Sequence, residues 1–154
     1  MRILGIDPGL SHLGYGIIDV NPNKKDMIEC GIIRTNKSNS EGNRLVEIAQ
    51  DLQTLVQTWH PQLASVEQFF FYRSSNTISI LQVRGVILLT LASLKIPVVE
   101  FSPLQVKLTL TGFGHAHKKE VLQSIMTELG LKLPPHPDDA ADALAIALTG
   151  WFHR

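Results

Sequence analysis

The 154-residue sequence has a single cysteine, no apolar run long enough to span a bilayer and no net charge. With only Cys30, an internal disulfide framework and a cysteine-built zinc site are excluded, and a reducing compartment such as the cytoplasm is expected. The longest apolar stretch, Val86 to Leu94, is broken by Thr90 and Ser93. It falls well short of the roughly 20 residues a spanning helix needs, so no membrane partner is expected. The opening MRILGIDPG has neither the apolar core nor the small-residue cleavage site of a secretory signal. Repeats, linkers and low-complexity tracts are missing too. At 44% hydrophobic and 18% charged residues, the composition excludes disordered, collagen-like and coiled-coil classes. Residues 1–154 read as one domain, long enough to bury a substantial core.

Zero net charge argues by itself against a nucleic-acid binder. The distribution says otherwise. Residues 1–67 carry 6 basic and 8 acidic side chains, and residues 120–154 carry 2 and 5. Between them, residues 68–119 carry 6 basic side chains against Glu100 alone. The middle of the chain is a cationic block, and the acids at both ends need an explanation of their own.

Arg2 to Asp7, Tyr15 to Val20 and Met27 to Thr35 read as strands, joined by short polar connections that favour antiparallel hairpins. Residues 36–43 read as loop. Leu45, Ile48, Leu52, Leu55, Val56 and Trp59 then recur at helical spacing, ending before Pro61. Leu63 to Glu67 is a short strand, and a polar loop from Arg73 to Thr77 leads into a helix through about Leu94. From Val86 onward that helix is apolar on every side. One face packs on the sheet, and the other predicts a dimer surface. A fifth strand, Ile96 to Phe101, precedes a short helix, Pro103 to Leu110, and a stripe from Val121 to Leu129 closed by Gly130. Pro134, Pro135 and Pro137 lead into a last helix from Asp138 to about Trp151. The order βββαβαβ followed by helices predicts an α/β fold, a five-stranded mixed sheet with helices on both faces.

Asp7 and Glu67 end strands, and Asp138, Asp139 and Asp142 open the last helix. Each has a plain structural reading: a turn residue before Pro-Gly, a solvated strand end, and acids that complement a helix dipole. Together they say more. Asp139 and Asp142 share a helix face, where like charges repel. The small residues around them let the helix lie close to the sheet, where unpaired carboxylates are costly. Four acids meeting at one sheet edge require a cation, and oxygen-only ligands suit Mg²⁺ or Mn²⁺. Two such ions about 3.5–4 Å apart are the apparatus of in-line phosphodiester hydrolysis. With four acids neutralised in this way, 14 basic residues face 10 acidic ones.

The ordered set ILGIDPGLSHLGYGII, SVEQFFF, QVRGV and DDAADALAIALT resembles the RuvC family of bacterial Holliday-junction resolvases, within the ribonuclease H-like superfamily. The resemblance covers almost the whole chain. It implies a homodimeric, Mg²⁺-dependent endonuclease with two ions per active site and Mn²⁺ as a substitute. It also implies symmetric nicking of two strands of like polarity at a four-way DNA junction, in recombination and repair, leaving ligatable 5′-phosphate and 3′-hydroxyl ends. A branch-migration helicase complex is the implied partner. By position, the catalytic and metal-binding acids are Asp7, Glu67, Asp139 and Asp142. A two-fold dimer suits a junction with two equivalent scissile bonds.

The family's base-stacking Phe, three residues after the Glu, falls on Phe70, although Phe69 and Phe71 flank it. Arg73 follows in a polar loop. Lys107 and Lys118 match basic positions the family uses near the scissile phosphate. Lys118 and Lys119 open a helix, where a bound anion would offset their unfavourable interaction with the dipole. A solvated pair helped by Glu120 is the plainer reading. His115 and His117 read as surface residues, Arg84 as structural or interfacial, and Gly9, Gly14 and Gly16 as holding backbone near metal or phosphate.

Three other functions compete. The same carboxylates suit a ribonuclease H-like nuclease acting on RNA or another branched DNA. GIDPGLSHLGYGI also resembles the phosphate hairpin of actin-like and sugar-kinase-like phosphotransferases, which need two domains closing on a nucleotide. A catalytically inactive junction-binding module is the third, and retention of all four acids argues against it.

Overall fold

The computed structural model describes residues 1–69 and 76–154. β1 (Arg2–Asp7), β2 (His12–Asn21) and β3 (Lys24–Arg34) form an antiparallel meander. The β2–β3 turn is tight, with Asn21 paired to Lys24 and the Asn21 side chain accepting from the Asn23 N–H at 2.9 Å. β3 starts before the expected Met27 because its polar tip still pairs across the turn, and β2 starts before the expected Tyr15 because His12, buried Leu13 and Gly14 pair with Arg34, Ile33 and Ile32. α1 (Glu41–Trp59) starts inside the expected 36–43 loop, where Ser40 Oγ accepts from the Asn43 N–H at 3.3 Å. It ends at His60, whose φ of 50° is left-handed, just before Pro61.

β4 (Leu63–Glu67) lies parallel to β1, α2 (Thr77–Ser93) crosses over, and β5 (Val98–Phe101) lies parallel to β4. The sheet order is β3-β2-β1-β4-β5. β5 begins at Val98 rather than at Ile96, since Lys95 is left-handed (φ 60°) and Pro97 has no N–H for the ladder. α3 (Pro103–Thr111), α4 (Lys118–Leu129) and α5 (Asp138–Phe152) follow. Ser102 and Gln105 cap the start of α3 reciprocally, at 3.1 and 2.8 Å. α3 and α4 end at Gly112 and Gly130, with φ of 78° and 61°.

Strand alternation divides the core. Leu4, Ile6, Leu13, Ile17 and Val66 meet Ile48 and Leu52 of α1 and Val83, Ile87 and Leu91 of α2. On the opposite face Ile3, Ile18, Val20 and Leu63 meet Val106, Ile125, Leu144 and Leu148. Helices therefore cover both faces, as the sequence predicts. Val83, Ile87 and Leu91 turn only one side of α2 inward. Ile78 (70% exposed), Leu81 and Leu89 (69%) form a stripe on the other, and Gly85 has open space beside it.

α5 is buried from Ala140 to Trp151, Asp142 excepted. Glycines let it approach the sheet. A Cβ at Gly5 would strike the Ala143 carbonyl and the Ala147 backbone, and one at Gly14 would strike the Asp139 carbonyl. At Gly16 it would lie 2.8 Å from the Leu144 side chain. Gly14 and Gly16 thus seat α5, and Gly14 does so at Asp139. Gly9 packs its backbone on that of His12 in the turn after β1. Ser65 Oγ locks the contact by donating to the Ile146 carbonyl at 2.7 Å.

Candidate active site

β1 and β4 are parallel neighbours with Ile6 beside Val66, so Asp7 and Glu67 follow side by side at their carboxyl ends. Alternation turns both toward α5. Their carboxyls hydrogen-bond each other. α5 enters from above with Asp139 in its first turn and Asp142 three residues on. One oxygen each from Asp7, Asp139 and Asp142 lies within 4.8 Å of the others. Glu67 joins this triad through Asp7.

Carboxylates this close and this buried resist ionisation together. Burial first, then Glu67, Asp142 and Asp139, push Asp7 up from its ordinary value to about 9. Burial also raises Glu67, against the lowering effects of its bond to Asp7 and of Lys107. Asp142 is raised as well, chiefly by burial and despite Lys118. The Asp7 and Glu67 carboxyls therefore both hold protons more tightly than isolated carboxyls do. The donor set is all oxygen, the chemistry a hard divalent cation takes. These side chains therefore fit a metal site.

Two lysines face the acids. Lys118 Nζ lies 3.5 Å from Asp138 and 3.6 Å from Asp142. Burial opposes its charge, but Asp142 and Asp138 outweigh burial and raise its pKa. Asp138, read from sequence as a dipole acid, thus carries half of this ion pair. Its i, i+4 spacing to Asp142 was the available signal. Lys107 and Lys118 line one cleft of about 230 Å³ with Glu67, Val106, Val121 and Asp142. Beyond Glu67 lies a second recess of about 240 Å³, lined by Asp7, Gln68, Phe69, Ile80 and Pro103.

The remaining candidates are scattered. Lys119 lines a separate depression with Leu110, Thr111 and Phe113. His115 stacks edge-on against Phe113, with ring centres 5.8 Å apart, and the His117 N–H donates to Glu120 at the start of α4. Arg84 pairs with Glu100 at 2.6 Å, a structural contact. Phe70 and Arg73 lie outside the described residues.

Residues 3–150 match the family described as crossover junction endodeoxyribonuclease RuvC. The chain belongs to the RuvC family. It is 63% identical to the RuvC of Parasynechococcus marenigrum (strain WH8102), with each chain covered completely. The structure of Thermus thermophilus RuvC superposes with a TM-score of 0.93 at 34% identity, covering 99% of this chain and 95% of that one. T. thermophilus RuvC in complex with Holliday junction substrate gives 0.93 at 35%, covering 99% and 94%. This RuvC-family chain accordingly has the ribonuclease H-like fold, and the family activity is that of a DNA endonuclease. Among the described residues, no helix is long and apolar enough to cross a membrane.

Proposed function

We propose that this chain is a homodimeric, Mg²⁺-dependent Holliday-junction resolvase that nicks two strands of like polarity symmetrically at a four-way DNA junction, in recombination and repair. The carrying observation is the meeting of Asp7, Asp139 and Asp142 within 4.8 Å, with Glu67 bonded to Asp7. RuvC relatives bear the crossover junction endodeoxyribonuclease name over their full length, and a Thermus relative is known with Holliday junction substrate.

Two Mg²⁺ per site, with Mn²⁺ as a substitute, are the cofactors that four carboxylates suit. Such ions supply an activated water and neutralise charge on the phosphate and leaving oxygen. The chain's own part is to hold that charge in place. Asp7 and Glu67, neighbours at the ends of β1 and β4, would hold such ions as carboxylates, with any bound proton released to solvent. Asp139 and Asp142, fixed by the close seating of α5, complete the ligand set. Lys118 then turns from Asp138 and Asp142 to the phosphate, and Lys107 holds the strand on the same cleft wall. Phe69 borders the recess beside Asp7, and Phe70 and Arg73 are the sequence's candidates for stacking an unpaired base and gripping its strand. Lys119 contributes outside the cleft.

The outward stripe of α2 is the proposed dimer surface. A second copy placed there by a two-fold axis presents two active sites to a junction with two equivalent scissile bonds. Work in the cytoplasm with a branch-migration helicase complex follows from the same reading.

The test compares a four-way junction, a linear duplex and an RNA–DNA hybrid in Mg²⁺. Paired nicks on the junction alone are expected. Equal rates on all three substrates replace this reading with a general ribonuclease H-like nuclease.

A further inference from the structure

At the carboxyl end of the sheet, the antiparallel register sets His12 of β2 opposite Arg34 of β3. Arg34 Nη1 lies 3.1 Å from His12 Nε2. Arginine only donates, so Nε2 accepts and the imidazole proton sits on Nδ1. Asp7 pairs with Gly14, and His12 lies two residues further along the same strand. That even spacing puts His12 and Arg34 on the face that carries Asp7 and α5.

Both side chains are exposed, and among the described residues Arg34 has no carboxylate partner. Arg2 and Arg84, by contrast, are each matched to an acid. The segment around the pair is braced. Thr35 Oγ1 donates to the Leu10 carbonyl at 2.6 Å, and Arg44 donates to Thr35 Oγ1 and Ser11 Oγ, each at 2.9 Å. A fixed cation with open donors is therefore held beside the acids. At about 4.8 Å per strand it stands about 10 Å across the sheet from β1.

We infer that Arg34, steadied by His12, binds a backbone phosphate of the DNA strand that crosses the sheet beside the acid cluster. It is a positioning residue, too far across the sheet to touch the reacting atoms. Its free N–H groups match phosphate oxygens in charge and in fork geometry. The inference rests on the junction reading above.

The test is single-turnover nicking of a four-way junction in Mg²⁺, with DNA concentration and salt varied. Arg34→Gln is expected to raise the half-saturating DNA concentration about 10-fold, the scale of one lost charge-assisted contact. It is also expected to flatten the logarithmic salt dependence by about one phosphate. Arg34→Lys recovers most of both, and the rate at saturation changes less than the half-saturation. Lys24→Gln, whose lysine pairs with Asp26, matches the unaltered chain. An unchanged half-saturation in Arg34→Gln overturns the assignment. So does a loss with an unchanged salt slope or without recovery by lysine, since either marks a structural role. An unaltered chain that nicks no junction overturns the functional reading itself and this inference with it.

Discussion

The carbonyl of Asp139 occupies the space where a side chain at position 14 would begin. Placement of one proposed metal ligand therefore depends on the absence of a single carbon in β2. Gly14→Val is expected to push the start of α5 outward and to cost about 1–3 kcal/mol or more, the range for overpacking. Nicking should fall further than stability, because Asp139 moves away from Asp7. Gly42→Ala, at an exposed α1 position with nothing nearby, should be neutral or slightly stabilising. Thermal melting and nicking of both variants check the contrast.

Without divalent ions, Asp7 has a pKa raised from 3.8 to about 9. Between those values the folded chain binds more protons than the unfolded chain. This contribution to stability is complete below about pH 4 and is lost as pH rises through about 9, at no more than ~1.4 kcal/mol per pH unit for one proton. Denaturant unfolding in EDTA should show that decline, and it should flatten in Asp7→Asn. Saturating Mg²⁺ should remove most of it from the unaltered chain.

Lys118 and Lys119 are adjacent in sequence but line different surfaces. Lys118→Ala is expected to slow nicking at saturating DNA by about 10- to 100-fold, the worth of a charge-assisted hydrogen bond. Lys119→Ala should change that rate by less than about threefold and act mainly on salt-dependent binding. Single-turnover kinetics separate the two effects.

The two sides of α2 give opposite outcomes. Leu89→Glu alters an exposed position and should yield a monomer in sedimentation that loses paired nicking while melting like an isolated fold. Ile87→Ala empties a fully buried position and should cost about 2–5 kcal/mol.

Much of this was legible in the chain because the signals are local. Apolar alternation exposed the strands, and the i, i+3 spacing of Asp139 and Asp142 among alanines and leucines exposed a buried helix with an acidic end. The outward side of α2 was readable because its apolar residues exceed what one packed face can use. What a glycine faces is not local. Gly14 and Gly16 read from sequence only as sites of close backbone approach, and the fold shows that α5 is what approaches them. The His12–Arg34 pair was invisible for the same reason, since 22 residues separate its members and only hairpin register joins them. The early start of β3 was missed because ladder pairing alone, without apolar residues, extends it, and that of β2 because Leu13 stands alone between His12 and Gly14.

The central claim is that Asp7, Glu67, Asp139 and Asp142 together hold divalent ions. A crystal grown with Mn²⁺ and recorded at the manganese absorption edge tests it directly. The account predicts two anomalous peaks about 3.5–4 Å apart among those four side chains, both weakened or lost in Asp7→Asn. Ordered manganese bound elsewhere, or none at saturating concentration, contradicts it.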